Sequence, residues 1–273
     1  MFDATYVINL DRSPDRWAHA QRVTAAAGLA NVIRLPAVDG SALGDAGISA
    51  LQDDGVLSAD LSRFTARVRD GEIGCAVSHA TVLRDIIGRG LSKALILEDD
   101  AQLAGDVNTW RARFDAAYAD LGDDWQLWYL YRCFDVEHRV VRVTPRTVIP
   151  WTPQCAGAYA VTAAGAVILL DALMPIGNAV DRAYMDVVKS RRIRAFAASP
   201  MLAAPAPLPS AIRGKGDGGP WAYGGVNRPP EYWPERYLEG IDESTGPTPA
   251  YRRAWYSVVA RWQRLRGRAG PHA

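Results

Sequence analysis

An unbroken apolar run, Ala94-Leu95-Ile96-Leu97, passes directly into three consecutive carboxylates, Glu98-Asp99-Asp100. A run that short and that apolar reads as a strand buried on both faces, which requires a sheet covered by other elements on each side. The rest of the chain supplies such elements in alternation. Thr5 to Leu10 is a second apolar, β-branched strand, followed by Ser13 as a helix cap, Pro14 in the first turn and Gly28 as the stop. Residues 31–38 read as a strand. Apolar positions at 73, 77, 80, 83 and 87 then mark a helix that ends at Gly88 and Gly90. Val107, Trp110, Phe114, Tyr118 and Leu121 mark another. Residues 125–131 and 139–143 read as strands, and residues 157–162 as a strand feeding a helix through Leu173. Residues 41–70 show no clear pattern, and 200–250 are rich in Pro and Gly.

Strands alternating with helices imply an α/β fold with a mostly parallel sheet, and in such sheets ligands bind beyond the carboxyl ends of the strands. Asn9-Leu10-Asp11-Arg12 and Glu98-Asp99-Asp100 both fall at ends of that kind. At 273 residues the chain suits one large α/β domain or two small ones. Its net charge of +1 conceals an asymmetry. Six of the 31 basic residues lie in 250–273, which has no acid, leaving 25 basic against 30 acidic residues in the body. A negative body with no basic, aromatic-studded stripe argues against a nucleic-acid partner.

Cys75, Cys133 and Cys155 form no CxxC pair and show no zinc-ligand spacing to a His, so three thiols in a reducing compartment are expected, with neither a disulfide nor a zinc site. Met1-Phe2-Asp3 runs straight into a strand without a basic and apolar leader, and no apolar run reaches bilayer-spanning length. The expected location is the cytoplasm.

Three adjacent carboxylates repel one another, and burial at a sheet end raises the cost. A hard divalent cation, Mn²⁺ or Mg²⁺, would relieve it and could bridge the phosphates of a nucleotide. A solvated acidic turn is the other reading, and spacing alone leaves both open. If strand geometry continued, Glu98 and Asp100 would share a face and Asp99 would take the other.

Tyr6-Val7-Ile8-Asn9-Leu10-Asp11-Arg12-Ser13-Pro14-Asp15-Arg16 resembles the opening motif of glycosyltransferase family 25. Gly71-Glu72-Ile73-Gly74-Cys75-Ala76-Val77-Ser78-His79 resembles its second motif, and Leu95-Ile96-Leu97-Glu98-Asp99-Asp100-Ala101 its acidic motif. Shorter echoes are Ala37-Val38-Asp39-Gly40, Gly157-Ala158-Tyr159 with Gly165-Ala166, Val180-Asp181 and Ser210-Ala211-Ile212. Motifs in order are far more specific than any one alone. The resemblance implies a GT-A-like domain over 1–213 and inverting transfer from a UDP-sugar, often UDP-galactose, to a glycan of lipopolysaccharide or another surface polysaccharide. It also implies Glu98 and Asp100 as metal ligands. Asn9, Leu10, Asp11, Arg12, Arg16 and Asp99 would lie around the donor, Ser78 and His79 would support the acidic cluster, and Asp181 would be the catalytic base, with Asp186 as substitute. Arginines suit phosphate oxygens, whereas Arg16 is equally at home as surface charge; Asp181 is equally placed to cap a helix. Family members often carry two adjacent basic residues here, but Arg16 is followed by Trp17.

Two other functional classes use similar residues: a nucleotide-sugar or glycan-binding relative without turnover, and a metal-dependent phosphohydrolase or nucleotidyltransferase. Gly214-Lys215-Gly216-Asp217-Gly218-Gly219 has dinucleotide-binding spacing, but no strand precedes it and Pro220 follows, so 214–250 reads as a loop region. In 251–273, Tyr251, Trp255, Val258, Trp262 and Leu265 share one helical face, with arginines on the rest. That helix is expected either to pack on the domain or to dock on an anionic membrane surface, where a lipid-linked acceptor would lie.

Overall fold

The computed structural model describes residues 1–133, 135, 139–206 and 208. The loop at 214–250 and the helix at 251–273 lie outside the described residues, as does Ser210-Ala211-Ile212. Among the described residues no helix is long and apolar enough to cross a membrane.

Among the described residues ten strands and six α-helices follow in this order: β1 (Ala4–Asn9), α1 (Pro14–Ala26), β2 (Val32–Pro36), α2 (Gly44–Asp53), α3 (Arg69–Gly88), β3 (Lys93–Glu98), β4 (Ala101–Leu103), α4 (Val107–Leu121), β5 (Leu127–Tyr129), β6 (Val141–Thr144), β7 (Thr147–Ile149), β8 (Ala158–Thr162), α5 (Ala163–Leu173), α6 (Val180–Lys189), β9 (Ala195–Ala198) and β10 (Ala203–Pro205). Eight strands form one sheet in the order β2-β1-β3-β8-β5-β9-β7-β6. The α/β architecture is the expected one. Its sheet is mixed, parallel across β2-β1-β3 and between β5 and β9, and antiparallel where β8 enters between β3 and β5 and along the β9-β7-β6 edge.

Side-chain alternation along the central strands fills two cores. Ala94 and Ile96 of β3, Tyr6 and Ile8 of β1, and Tyr159 and Val161 of β8 face the layer of α3, α5 and α6. Leu95 and Leu97, Val7, Ala158 and Ala160 face the opposite layer, where α1 and α4 bring Ala20, Trp110 and Phe114. Both faces are buried, which is why these strands are apolar throughout rather than alternating. Full burial of a side chain such as Phe114, against solvent exposure, is worth roughly 2–3 kcal/mol.

Two glycines set how close α3 comes to the segment after β2. A Cβ on Gly74 would lie 2.5 Å from the Val38 carbonyl oxygen and 2.6 Å from the Gly40 nitrogen, and a Cβ on Gly40 would overlap the Asp70 carbonyl. Ser78 completes the junction, donating to the Gly74 carbonyl at 2.7 Å and accepting from the Val38 N–H at 2.9 Å.

The expectation of three free thiols is corrected. Cys133 and Cys155 form a disulfide across a sequence separation of 22, with Cα atoms 5.9 Å apart. Reciprocal backbone hydrogen bonds between Cys133 and Gln154, at 3.1 and 3.0 Å, bring the two stretches together. That pairing is tertiary and leaves no spacing signal. Disulfides persist in oxidising surroundings, so the cysteines no longer support a reducing compartment.

Candidate active site

The parallel strands β1 and β3 end side by side, with Ile8 opposite Glu98. A cleft of about 260 Å³ opens beyond those ends. Its walls come from Leu10, Arg12 and Arg16 after β1, Val38 to Ser41 after β2, Glu72 and Cys75 of α3, the acidic triplet, and Asp181 of α6. A further wall is Ala204-Pro205 of β10, which pairs antiparallel with β4 immediately after the triplet.

Strand geometry stops at Glu98, and the chain turns through Asp99 and Asp100. The expected alternation of the three carboxylates is therefore replaced by a split. Asp99, 5% exposed, accepts from Asn9 Nδ2 at 2.7 Å and is ion-paired with Arg16. Arg16 also reaches Asp100, at 2.8 Å. Glu98 turns the other way, to His79 Nε2 at 3.3 Å and Cys75 Sγ at 3.7 Å.

One guanidinium thus faces two of the three carboxylates. Burial and then the Glu98 charge push the Asp100 carboxyl up to about 7, against the pull of Arg16. Burial would raise Glu98 too, but His79, Arg16 and Cys75 outweigh it and hold that carboxyl below its usual range. The remaining negative charge and the oxygen donors of Glu98 and Asp100, both on the cleft wall, fit a hard divalent cation.

Other residues singled out from the sequence separate into those at the cleft and those behind it. Asn9 is 1% exposed and its amide is fully engaged, with the Ser13 carbonyl, Asp99 and Arg34 Nε. It holds the turn into α1 and presents nothing to the cleft. Asp11 is exposed and pairs with Arg34 at 2.6 Å. Arg12 stands at the rim, paired with Asp39 and half exposed. Ser78 is the buried pin described above. His79 is fully buried, with Nδ1 3.0 Å from the Tyr159 hydroxyl, which lies 3.2 Å from that of Tyr184.

Asp181 sits in the first turn of α6, on the cleft wall, after an Ala179 cap. Burial raises its carboxyl, while the N–H groups of Arg182 and Cys155 pull it back. Asp186 is further along the same helix, exposed and paired with Arg63 at 3.0 Å outside the cleft.

Arg34 was not singled out from the sequence. Its guanidinium lies 5.7 Å from the Trp17 ring centre and ties Asn9 to Asp11, so Trp17 provides a stacking surface where a second basic residue was expected. Nor was Cys75 singled out as a site residue. Cys75 and His79 are four residues apart on α3, hence on one helical face, and both reach Glu98. That i, i+4 spacing ahead of the acidic strand was the available signal.

Fold and cleft together define an α/β domain with a carboxylate-rich cleft at its strand ends. The family model described as glycosyltransferase family 25 (LPS biosynthesis protein) matches residues 2–144. The chain belongs to glycosyltransferase family 25. It is similar to the human inactive glycosyltransferase 25 family member 3, 29% identical over 225 residues, covering 75% of this chain and 37% of that protein. The human procollagen galactosyltransferase 2 is 26% identical over 226 residues, covering 75% and 35%, and procollagen galactosyltransferase 1 of Danio rerio is 28% identical over 225 residues, covering 75% and 36%. The chain therefore spans little more than a third of the length of these relatives. Among solved structures, a mannose-1-phosphate geranyltransferase from Thermus thermophilus aligns over 71% of this chain and 72% of its own at 12% identity, with a TM-score of 0.34, too slight a likeness to inform fold or function.

Proposed function

We propose that the chain is an active, metal-dependent, inverting glycosyltransferase that transfers galactose from UDP-galactose to a glycan hydroxyl in surface polysaccharide or lipopolysaccharide assembly. The observation that carries this reading is the negative charge that Arg16 leaves unbalanced at Glu98 and Asp100, on the wall of a cleft at the strand ends of a family 25 chain. The names of two relatives, procollagen galactosyltransferases, favour galactose.

In this reading Glu98 and Asp100 hold Mn²⁺ or Mg²⁺. When bound, the cation supplies charge neutralisation to the diphosphate leaving group. Arg12, at the rim, meets a phosphate oxygen of the donor. Arg16 keeps Asp99 and Asp100 in place so that the site is built before the donor arrives. Asp181, raised by burial, takes the proton of the acceptor hydroxyl as it attacks the anomeric carbon opposite the departing UDP.

The test joins binding to turnover. UDP-galactose should raise the melting temperature only with Mn²⁺ present, and acceptor-dependent release of UDP should vanish in EDTA and in Asp100→Ala, with Glu98→Ala less severe. Undiminished turnover in EDTA or in Asp100→Ala would refute the metal role. A second reading, donor binding without turnover, is favoured by one observation, the word inactive in a relative's name. Mn²⁺-dependent UDP binding with no transfer to any glycan acceptor would select it.

A further inference from the structure

At the cleft wall and just behind it, one ligand atom each of Cys75, His79 and Glu98 lie within 4.8 Å of one another. The two separations that involve Glu98 are those of ligands on a common ion. Around a tetrahedral zinc, with bonds of about 2.0 Å to N and O and about 2.3 Å to S, nitrogen and oxygen stand about 3.3 Å apart and sulfur and oxygen about 3.5 Å. The observed distances are 3.3 Å from His79 Nε2 to Glu98 Oε1 and 3.7 Å from Cys75 Sγ to the same oxygen.

The geometry points to a three-ligand site for a borderline-soft divalent cation of the Zn²⁺ class, formed by Cys75, His79 and Glu98 and open to the cleft at its fourth position. Thiolate and imidazole select zinc over the hard ions that suit the carboxylates alone. Cys75 and His79 come from successive turns of one rigid helix, and Glu98 from the last position of a central strand, so the three are held by the core. The imidazole is also oriented from behind. The Tyr159 hydroxyl, in turn beside Tyr184, stands 3.0 Å from His79 Nδ1 and can accept a hydrogen bond from Nδ1–H, the tautomer that leaves the Nε2 lone pair free to bind metal. Cys75 and Glu98 also line the cleft, and this gives the ion an entry path and an open coordination position.

The two oxygens of Glu98 then serve two ions. Oε1 faces Cys75 and His79, while Oε2 lies on the side of Gly157, where a Cβ would stand 4.0 Å away and a side chain is absent. Zinc bound at Oε1 withdraws charge from the carboxylate that the hard cation needs. The consequence is that Zn²⁺ suppresses transfer at saturating Mn²⁺. This consequence rests on the transferase reading; the site itself does not.

Co²⁺ is the probe, because a thiolate ligand gives it a sulfur-to-metal charge-transfer band in the near ultraviolet. The full chain, free of chelator and acceptor, should develop that band to saturation at one equivalent and lose it on adding Zn²⁺. The band should be absent in Cys75→Ala and in Cys75→Ser, with far-ultraviolet circular dichroism confirming that both fold. Zn²⁺ affinity should fall by about a hundredfold or more in either variant and weaken in His79→Gln. No band in the wild-type protein, or a band that survives Cys75→Ala, overturns the site. Either result is reached without donor or turnover, so it stands apart from the fate of the transferase reading.

Discussion

Asp181 and Asp100 are both carboxyls raised by burial, but the work asked of them differs. Asp181 has the cleft in front of it and two backbone N–H groups behind it, which aim the free oxygen without neutralising it. Asp181→Asn should therefore lower turnover by a factor of about 10² or more while donor affinity holds, measured by initial rates and by calorimetric titration of UDP. Turnover near that of the wild type would remove Asp181 from the chemistry, and the exposed, Arg63-paired Asp186 could not replace it from outside the cleft. Asp100 has a consequence for stability. Its folded value near 7 lies above the ordinary 3.8, so the native state holds this proton more tightly than the unfolded chain does. The stabilisation is present below about pH 4 and is lost as pH rises through 7. In EDTA, the stability of the wild type relative to Asp100→Asn should fall by about 1–3 kcal/mol between pH 4 and pH 7.5 in urea titrations. Parallel curves would show that Arg16 already satisfies the charge.

Helix α3 carries more of the site than any other element, and its glycines explain how. Replacing Gly74 by Ala improves helix propensity by about 1 kcal/mol, yet the new Cβ meets backbone atoms that have no room to yield. The clash should win. Gly74→Ala is expected to be destabilised by about 1–2 kcal/mol net, with weaker donor binding because Asp39, which holds Arg12 by an ion pair, rides on the displaced segment; a melting temperature at or above that of the wild type would contradict this. What the sequence made legible follows the same line. Apolar periodicity exposed α3 and α4, cap and stop residues exposed α1, and unbroken apolar runs exposed the central strands β1 and β3. Short strands such as β4, β7, β9 and β10, three or four residues each, are defined by partners far along the chain and leave no pattern of their own. The triplet was legible as a candidate site because its repulsion is written in adjacent letters. Its division between Arg16 on one side and Cys75 with His79 on the other arises from a turn that those letters do not encode.

At the scale of the whole molecule, the Cys133–Cys155 bridge ties the end of β5 to the approach to β8. Closing a loop of this size stabilises the fold by roughly 3 kcal/mol in chain-entropy terms. The unreduced, denatured chain should therefore present a single titratable thiol, Cys75, in a thiol-reactivity assay, and two more after reduction. Three thiols without reductant would return the cysteines to the state expected from the sequence. The antiparallel entry of β8 has a different consequence. Residues 158–162 fill the place between β3 and β5, and β9 at 195–198 follows on the other side of β5. The stretch matched by the family model, 2–144, therefore supplies β2, β1 and β3 on one side of the sheet and β5 and β6 on the other, while β8 between them, and β7 and β9 beyond β5, come later in the chain. Recognisable sequence and folding unit do not coincide here: a polypeptide released at Thr144 would leave the edges of β3 and β5 unpaired, exposing Leu95 and Trp128 beside the gap. Synthesis must pass Thr162 before the strand that bears Glu98 can be enclosed on both sides.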